Sequence, residues 1–341
     1  MSSRLRLEAE VMTLRTRHPF IIARHAFDEV RSVRVVLRDD SGLEGIGEAT
    51  PQKFYGETPE TALAALDFYA PRLPDDPFLL DQAEDTLLRA MTGNNAVRAA
   101  LSTALHDLVG KRLGVPLYRL WGLDPATAPL STFTIGIDTP EKMRLKVREA
   151  ASYPVLKVKL GTSNDLAILR AIREETDKEL RVDANCGWTA THAVRMLPVL
   201  EEFGVTVLEQ PVARADLDGF AHIRRHARIP LIADESCHVA SDIPALAGRV
   251  DGINIKLAKT GSLREALRMV AVARAHHLIV MLGCMVESSI AITAAAHLAP
   301  LMDLVDLDGA ALLADDPYAG ATIEGGRLRL PDSPGLGVRP R

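Results

Sequence analysis

Short apolar segments alternate with amphipathic segments from residue 131 onward, and this alternation constrains the fold more than any other feature. The expected strands are Thr132–Ile137, Val155–Lys159, Leu180–Asp183, Val205–Glu209, Leu231–Asp234, Gly252–Lys256, Ile279–Leu282 and Leu304–Asp306. The expected helices between them include Glu141–Ala151, Asp165–Glu174, Ala190–Phe203 and Ser262–His276. Repeated strand–helix alternation predicts a closed (β/α)8-type barrel of the α/β class. An open doubly wound sheet is the alternative, but it would want a glycine-rich phosphate loop after its first strand.

The nearest glycine-rich sequence lies in the N-terminal region, which has a different pattern. Gly42-x-x-Gly45-x-Gly47 falls inside a predicted hairpin with no helix directly after it, so we interpret it as turn chemistry. The strands of this hairpin are Val33–Leu37 and Leu43–Ala49, and helical spacing follows at Thr58–Tyr69 and Asn94–Arg112. Strands followed by helices predict an α+β unit before the barrel.

Composition narrows the classes of partner. Lys and Arg number 40 against 45 Asp and Glu, and no basic cluster is interleaved with aromatic residues, so no nucleic acid is expected. No run of about 18 apolar residues occurs, so no membrane span is expected. The N-terminus lacks the apolar core of a signal peptide and the chain has only 3 cysteines, which predicts a reduced, cytoplasmic setting.

Carboxylates end three consecutive predicted barrel strands, at Asp183, Glu209 and Asp234. Neighbouring parallel strands are about 4.8 Å apart, so these side chains should converge at the carboxyl-terminal rim of the barrel. Three carboxylates that close would repel one another without a cation, and hard oxygen ligands favour Mg²⁺. The alternative is that each carboxylate caps the helix that follows it.

Lysines occupy two other strands of the same barrel. Lys157 and Lys159 are two residues apart, so both point to one side, and Val158 points to the other. Lys256 lies four strands further on, which places it across the barrel from Lys159. Opposed amines suit removal of a proton from one face of a carbon and its return to the other. Repulsion from the positive charge of the neighbouring Lys157 would make Lys159 a better base. The alternative is an edge strand with solvated lysines.

Five short motifs together resemble the muconate-lactonizing-enzyme subgroup of the enolase superfamily. They are Lys-x-Lys at 157–159, Asp-Ala-Asn at 183–185, Glu-Gln-Pro at 209–211, Asp-Glu-Ser at 234–236 and Asn-Ile-Lys at 254–256. The resemblance implies a (β/α)7β TIM-type barrel at 119–310. It also implies an N-terminal α+β capping domain at 1–118 and a C-terminal segment at 311–341 that returns to that domain.

The resemblance also assigns roles. It implies that Lys159 and Lys256 are the acid/base pair, that Lys157 touches the substrate carboxylate, and that the three strand-end carboxylates hold one Mg²⁺ ion per subunit. Asn185 and Glu235 belong to the same motifs and are expected to support the metal ligands.

Asp306-Leu307-Asp308 resembles the Asp-x-Asp signature of the dipeptide epimerases, where the pair binds the free α-ammonium of an N-terminal residue. Two carboxylates on one face, away from the metal, suit an ammonium group. The alternative is an Asx-turn at Asp308, which precedes Gly309.

The substrate pocket is expected to include residues outside the barrel motifs. Arg24 resembles the capping-loop arginine that meets a glutamate carboxylate in the Ala-Glu epimerases, and a bidentate guanidinium suits that role. A solvated loop arginine is an equal alternative. Cys284 is expected to line the pocket, and the loop around Tyr55 to close its other side.

The implied function is that of an isomerase: a Mg²⁺-dependent dipeptide epimerase that inverts the C-terminal residue, with L-Ala-D/L-Glu as the best single substrate and peptidoglycan turnover as its setting. The expected partner is a small dipeptide, and the resemblance allows a homo-oligomer. A lyase or cycloisomerase of the same subgroup, such as o-succinylbenzoate synthase or muconate cycloisomerase, is one alternative. An N-acyl amino acid racemase and a non-catalytic barrel are the others.

Overall fold

The computed structural model describes residues 5–341 and begins with an antiparallel sheet of three strands. These strands are β1 (Arg6–Ile22), β2 (His25–Arg38) and β3 (Glu44–Ala49). The predicted hairpin is present as β2 and β3, whereas β1 was not among the predicted strands. Leu14 is the one fully buried residue of β1, but Leu7, Ala9 and Val11 alternate with charged residues at its start, and this period of two is the signal that could have predicted the strand.

Four helices follow in the N-terminal region: α1 (Pro59–Tyr69), α2 (Leu80–Ala90), α3 (Asn95–Leu113) and α4 (Leu117–Leu120). Helix α3 is buried around its whole circumference from Ala96 to Gly110, because it lies between β3 and helices of the barrel. It ends at Gly114, whose φ of 72° is in the left-handed region that glycine adopts without strain.

Two glycines of β3 allow the close approach of α3. A Cβ atom added at Gly45 or Gly47 would lie 2.0 Å from the carbonyl oxygen of Ala104 or Ala100, respectively. Only Gly42, with φ of 82°, lies in the turn itself. The interpretation of all three glycines as turn chemistry was therefore wrong for two of them.

Eight parallel strands form the predicted barrel, and each is hydrogen-bonded to its neighbour in chain order. They are β4 (Phe133–Ile135), β5 (Val155–Lys159), β6 (Glu179–Asp183), β7 (Val205–Glu209), β8 (Leu231–Ala233), β9 (Gly252–Ile255), β10 (Ile279–Leu282) and β11 (Leu304–Val305). The backbone N–H of Thr132 donates to the carbonyl of Val305 at 3.1 Å and links the last strand to the first. The predicted α/β barrel with an N-terminal cap is confirmed.

Helices cover the outside of the barrel between successive strands. They are α5 (Pro140–Glu149), α6 (Asp165–Arg173), α7 (Ala190–Glu202), α8 (Leu217–Arg224), α9 (Ile243–Leu246), α10 (Leu257–Thr260), α11 (Leu263–Ala275) and α12 (Ser289–Ala296). The alternate strand residues that face these helices form one apolar core, to which Val158, Val182 and Leu208 belong. The residues between them therefore point into the barrel.

The C-terminal segment contains four short strands, in two antiparallel pairs. They are β12 (Tyr318–Ala319), β13 (Thr322–Glu324), β14 (Arg327–Arg329) and β15 (Arg339–Pro340). Gly335 exchanges backbone hydrogen bonds with residues 115 and 117, and the Leu336 N–H donates to Asp107 of α3 at 2.7 Å. These contacts link the segment to the cap, and the exact bounds at 118 and 310 stay predictions.

No helix in the described part of the chain combines the length and the apolar character that a membrane crossing needs.

Candidate active site

Three buried carboxylates converge at the carboxyl-terminal rim of the barrel. Asp183 and Glu209 end β6 and β7, and Asp234 directly follows β8. One oxygen from each lies within 4.8 Å of an oxygen of the other two. A set of hard oxygen donors without histidine or thiolate fits Mg²⁺ rather than Zn²⁺.

The lysines lie on two sides of this carboxylate cluster. The Lys159 Nζ is 2.7 Å from Asp183 Oδ2, and the Lys256 Nζ is 2.8 Å from Asp234 Oδ2. Both side chains are buried inside the barrel, so the alternative of solvated lysines on an edge strand is wrong. Burial lowers the pKa of Lys256, but the negative charges around it, that of Asp234 first and then that of Glu209, together raise it above its ordinary value.

Lys157 is surrounded by carboxylates instead of facing only its neighbouring lysine. Its Nζ lies 2.7 Å from Asp306, 2.8 Å from Glu209 and 3.5 Å from Asp183. Burial lowers the pKa of Lys157, but these three negative charges raise it well above its ordinary value. The repulsion between lysines that the sequence suggested is therefore only one part of a network in which opposite charges alternate.

Two buried residues of this network carry no predicted role. The Lys259 Nζ contacts Asp234 Oδ1 at 2.5 Å, and the Asn254 Nδ2 donates to Glu209 Oε1 at 2.8 Å. Asn254 precedes Lys256 by two residues, so strand alternation could have placed it inside the barrel. Lys259 lies on the single turn of α10, where only the fold brings it to Asp234.

Asn185 and Glu235 connect the carboxylate cluster to Arg24 of the cap. The Asn185 N–H donates to Asp183 Oδ1 at 2.9 Å, and the Arg24 Nη1 donates to Glu235 Oε1 at 2.6 Å and to the Asn185 carbonyl at 2.8 Å. The Arg24 guanidinium also lies 4.0 Å from the centre of the Phe54 ring. Arg24 is thus held at the site, and the alternative of a solvated loop arginine is wrong.

The two aspartates after β11 have different environments. Asp306 accepts hydrogen bonds from the Lys157 Nζ and from the Thr132 Oγ1. Asp308 accepts from the N–H of Thr134 at 2.5 Å and from its Oγ1 at 3.2 Å, not from its own turn, so the Asx-turn alternative is wrong. Burial raises the pKa of both, but Lys157 and Lys159 lower that of Asp306 to about 2. Asp306 adds to the effect of burial on Asp308, whose pKa rises to about 7.

A cavity of about 790 Å³ opens over these residues between the cap and the barrel. Its walls include both predicted acid/base lysines, Asp306 and Asp308, Arg24, and Cys284, which is in the expected position. Phe54 and Tyr55 of the cap close one side, and the Tyr55 ring packs edge-on against His238 with centroids 4.9 Å apart. Acidic and basic side chains therefore line the same cavity, and aromatic rings of the cap form part of its wall.

Family models match most of the chain. The enolase C-terminal domain-like model matches residues 141–341, and the mandelate racemase / muconate lactonizing enzyme N-terminal domain model matches residues 6–122. The chain therefore belongs to the mandelate racemase / muconate lactonizing enzyme family of the enolase superfamily.

Within this family, several similar proteins are epimerases. An L-Ala-D/L-Glu epimerase from Bacteroides thetaiotaomicron is 40% identical over 95% of this chain and 85% of that protein. An L-Ala-D/L-amino acid epimerase from a Maribacter species is 39% identical over 98% and 99%. The crystal structure of the Enterococcus faecalis dipeptide epimerase with Mg and L-Leu-L-Tyr has a TM-score of 0.93 at 33% identity and covers 99% of both chains. The predicted resemblance and the predicted enzyme class are confirmed: the chain is an isomerase of the racemase and epimerase type.

Proposed function

We propose that this isomerase is a Mg²⁺-dependent dipeptide epimerase that inverts the α-carbon of the C-terminal residue, with L-Ala-D/L-Glu as its substrate. One observation carries the proposal: Lys159 and Lys256 approach one carboxylate cluster from strands β5 and β9, four strands apart in the barrel. Amines in this arrangement can reach opposite faces of a carbon held between them.

The reaction needs one proton to leave and one to return. One lysine Nζ takes the α-proton from one face as the C–H bond breaks, and the other Nζ delivers a proton to the opposite face as a new C–H bond forms. The configuration inverts, no atom is gained or lost, and the two lysines exchange protonation states. A Mg²⁺ ion held by Asp183, Glu209 and Asp234 would neutralise the negative charge that builds up on the substrate carboxylate.

The two ends of the cavity suit the two ends of an acidic dipeptide. Asp306 and Asp308 offer carboxylates to the free α-ammonium. Arg24 uses its Nη1 for Glu235 and for the backbone, but its Nε is buried and has no partner within residues 5–341. A buried donor without a partner costs about 1–3 kcal/mol, which a side-chain carboxylate of the substrate would recover.

The wall next to the aspartates is apolar. Phe20 and Phe27 from the hairpin of β1 and β2 pack with Val286 and Leu312, and all four line the cavity. The side chain of the first dipeptide residue would meet this wall if its ammonium binds at Asp308. An alanine suits it, whereas a charged side chain would lose hydration without gaining a partner.

Proton NMR of L-Ala-L-Glu with enzyme and Mg²⁺ in D₂O tests the proposal. We expect the glutamate α-proton signal to disappear, a second diastereomer to appear, and EDTA to stop both. We expect Lys159→Ala and Lys256→Ala each to lower the rate of epimerisation at least about 100-fold, because a positioned acid or base contributes about that much.

An α-proton that persists with this and with a broad panel of dipeptides would contradict the proposal. Precursors of o-succinylbenzoate and N-acyl amino acids would then be the substrates to test. An epimerisation that continues after exhaustive removal of metal would refute the Mg²⁺ requirement alone.

A further inference from the structure

Lys259 makes four hydrogen-bond contacts inside the barrel. Its Nζ lies 2.5 Å from Asp234 Oδ1, 2.6 Å from the Asp234 carbonyl, 2.9 Å from the Asn254 carbonyl and 3.1 Å from the Cys237 carbonyl. The side chain is almost fully buried, at 1% exposure. Since burial of a lysine is costly, the site must supply these acceptors to hold it.

The two oxygens of the Asp234 carboxylate contact two different lysines. Lys259 engages Oδ1 of Asp234, and the Lys256 Nζ is 2.8 Å from Oδ2. Lys259 also joins the residues that follow β8 to the end of β9 through backbone carbonyls. Asp234 therefore cannot rotate about its Cβ–Cγ bond without losing a short charge-assisted hydrogen bond.

We propose that Lys259 is a positioning residue that fixes the Asp234 carboxylate so that Oδ2 is the oxygen presented to the metal and to Lys256. The inference rests on the proposed Mg²⁺ site. It assigns to Lys259 a role in cation affinity, beyond any contribution to folding. Groups that orient a metal ligand through its second oxygen typically change affinity or activity by 10–100-fold when removed.

The test is calorimetric titration of Mg²⁺ into metal-free wild-type protein and into Lys259→Met, which keeps the unbranched apolar part of the side chain and removes the ammonium. We expect the Kd for Mg²⁺ to rise at least about tenfold in this variant. The Mg²⁺ concentration that gives half-maximal epimerisation should rise by a similar factor, with most of the turnover rate recovered at saturation.

Lys146→Met is the matched control. Lys146 is another buried lysine, on α5, where its Nζ contacts the Gly136 carbonyl at 3.2 Å and Asp138 at 3.1 Å, away from the carboxylate cluster. We expect this variant to lower Tm in EDTA without changing the Kd for Mg²⁺. A purely structural Lys259 would behave in the same way.

The outcomes separate the inference from the proposed metal site. If wild-type protein binds no Mg²⁺, the proposed metal site fails. If wild-type protein binds Mg²⁺ and Lys259→Met binds it equally or more tightly, only the positioning role is overturned, and tighter binding would mean that the ammonium mainly repels the ion. Should Lys259→Met not fold, Lys259→Gln, which keeps N–H donors but not the charge, decides between the same outcomes.

Discussion

At the scale of single residues, the environment decides what identical side chains can do. Asp306 and Asp308 are two residues apart, yet the pKa of Asp306 falls to about 2 and that of Asp308 rises to about 7. Lys157 touches the first at 2.7 Å, whereas the second accepts hydrogen bonds from Thr134 and lies beside the negative charge of Asp306. The pair therefore offers a firmly ionised carboxylate beside one that titrates near neutrality.

The substitution Asp308→Asn should weaken binding of a dipeptide. We expect Asp308→Asn to raise KM at least about tenfold, because a hydrogen bond between charged groups contributes about 1.5–3 kcal/mol. In wild-type protein kcat/KM should also rise as the pH rises through about 7, where Asp308 loses its proton and can attract an ammonium. Steady-state kinetics across pH provides both values.

Asp315→Asn, at an exposed position a few residues further on, is the control and should leave both values unchanged. An unchanged KM in Asp308→Asn would remove the ammonium site from the proposed function.

At the scale of elements, the cap depends on one close contact between a strand and a helix. Helix α3 packs on β3 at the distance that Gly45 and Gly47 permit, and its other sides contact α10, α11 and α12 of the barrel. The loop that carries Phe54 and Tyr55 over the cavity starts directly after β3. A shift of α3 on this strand would therefore displace the loop that forms one wall of the cavity.

Gly47→Ala should be strongly destabilising. Its Cβ would lie 2.0 Å from the carbonyl oxygen of Ala100, a backbone atom that can move only with the helix. Overpacking of this kind costs about 3 kcal/mol, so we expect a clear fall in Tm and in the midpoint of urea unfolding. Glu44→Ala, at an exposed position of the same strand, should change Tm little. Equal stability of the two variants would show that α3 adapts freely.

At the scale of the whole molecule, buried acids join the cap to the barrel. Glu48 of β3 accepts hydrogen bonds from the Ser288 Oγ at 2.6 Å and from the N–H groups of Ser288 and Ala291. A carboxylate of the cap therefore binds the N-terminus of α12. Glu287 lies beside it and is buried. Burial and then Glu48 raise the pKa of Glu287 to about 8, while Lys256, the Met285 backbone and the Thr50 hydroxyl lower it.

Glu287 should make the stability of the fold depend on pH. Its pKa is higher in the folded state than the 4.5 of a free glutamate, so its stabilising contribution is complete below about pH 4.5 and is lost as the pH rises to about 8. We expect Glu287→Gln, in EDTA, to show a smaller fall in Tm between about pH 5 and about pH 9 than wild-type protein does. The exposed Glu202→Gln should keep the wild-type profile, and an equally steep profile in Glu287→Gln would disprove the role of this proton.

The sequence by itself determined the architecture and the kinds of group at the site. Alternating strands and helices predict the barrel, and a parallel barrel gathers the carboxyl ends of its strands at one rim. Asp183, Glu209 and Asp234 could therefore be placed together, and the two-residue period of a strand placed Lys157 and Lys159 on its inner side. These inferences need only local periodicity and one topological rule.

The tertiary structure alone decided which groups touch. Strand β1 pairs with β2 along most of its length, Lys259 reaches Asp234 from a separate turn, and Arg24 crosses from the cap to Glu235. The sign of each pKa shift likewise depends on distances between residues far apart in the chain. Contacts of a few ångströms govern these energies, and sequence spacing does not fix such distances across a closed barrel and its cap.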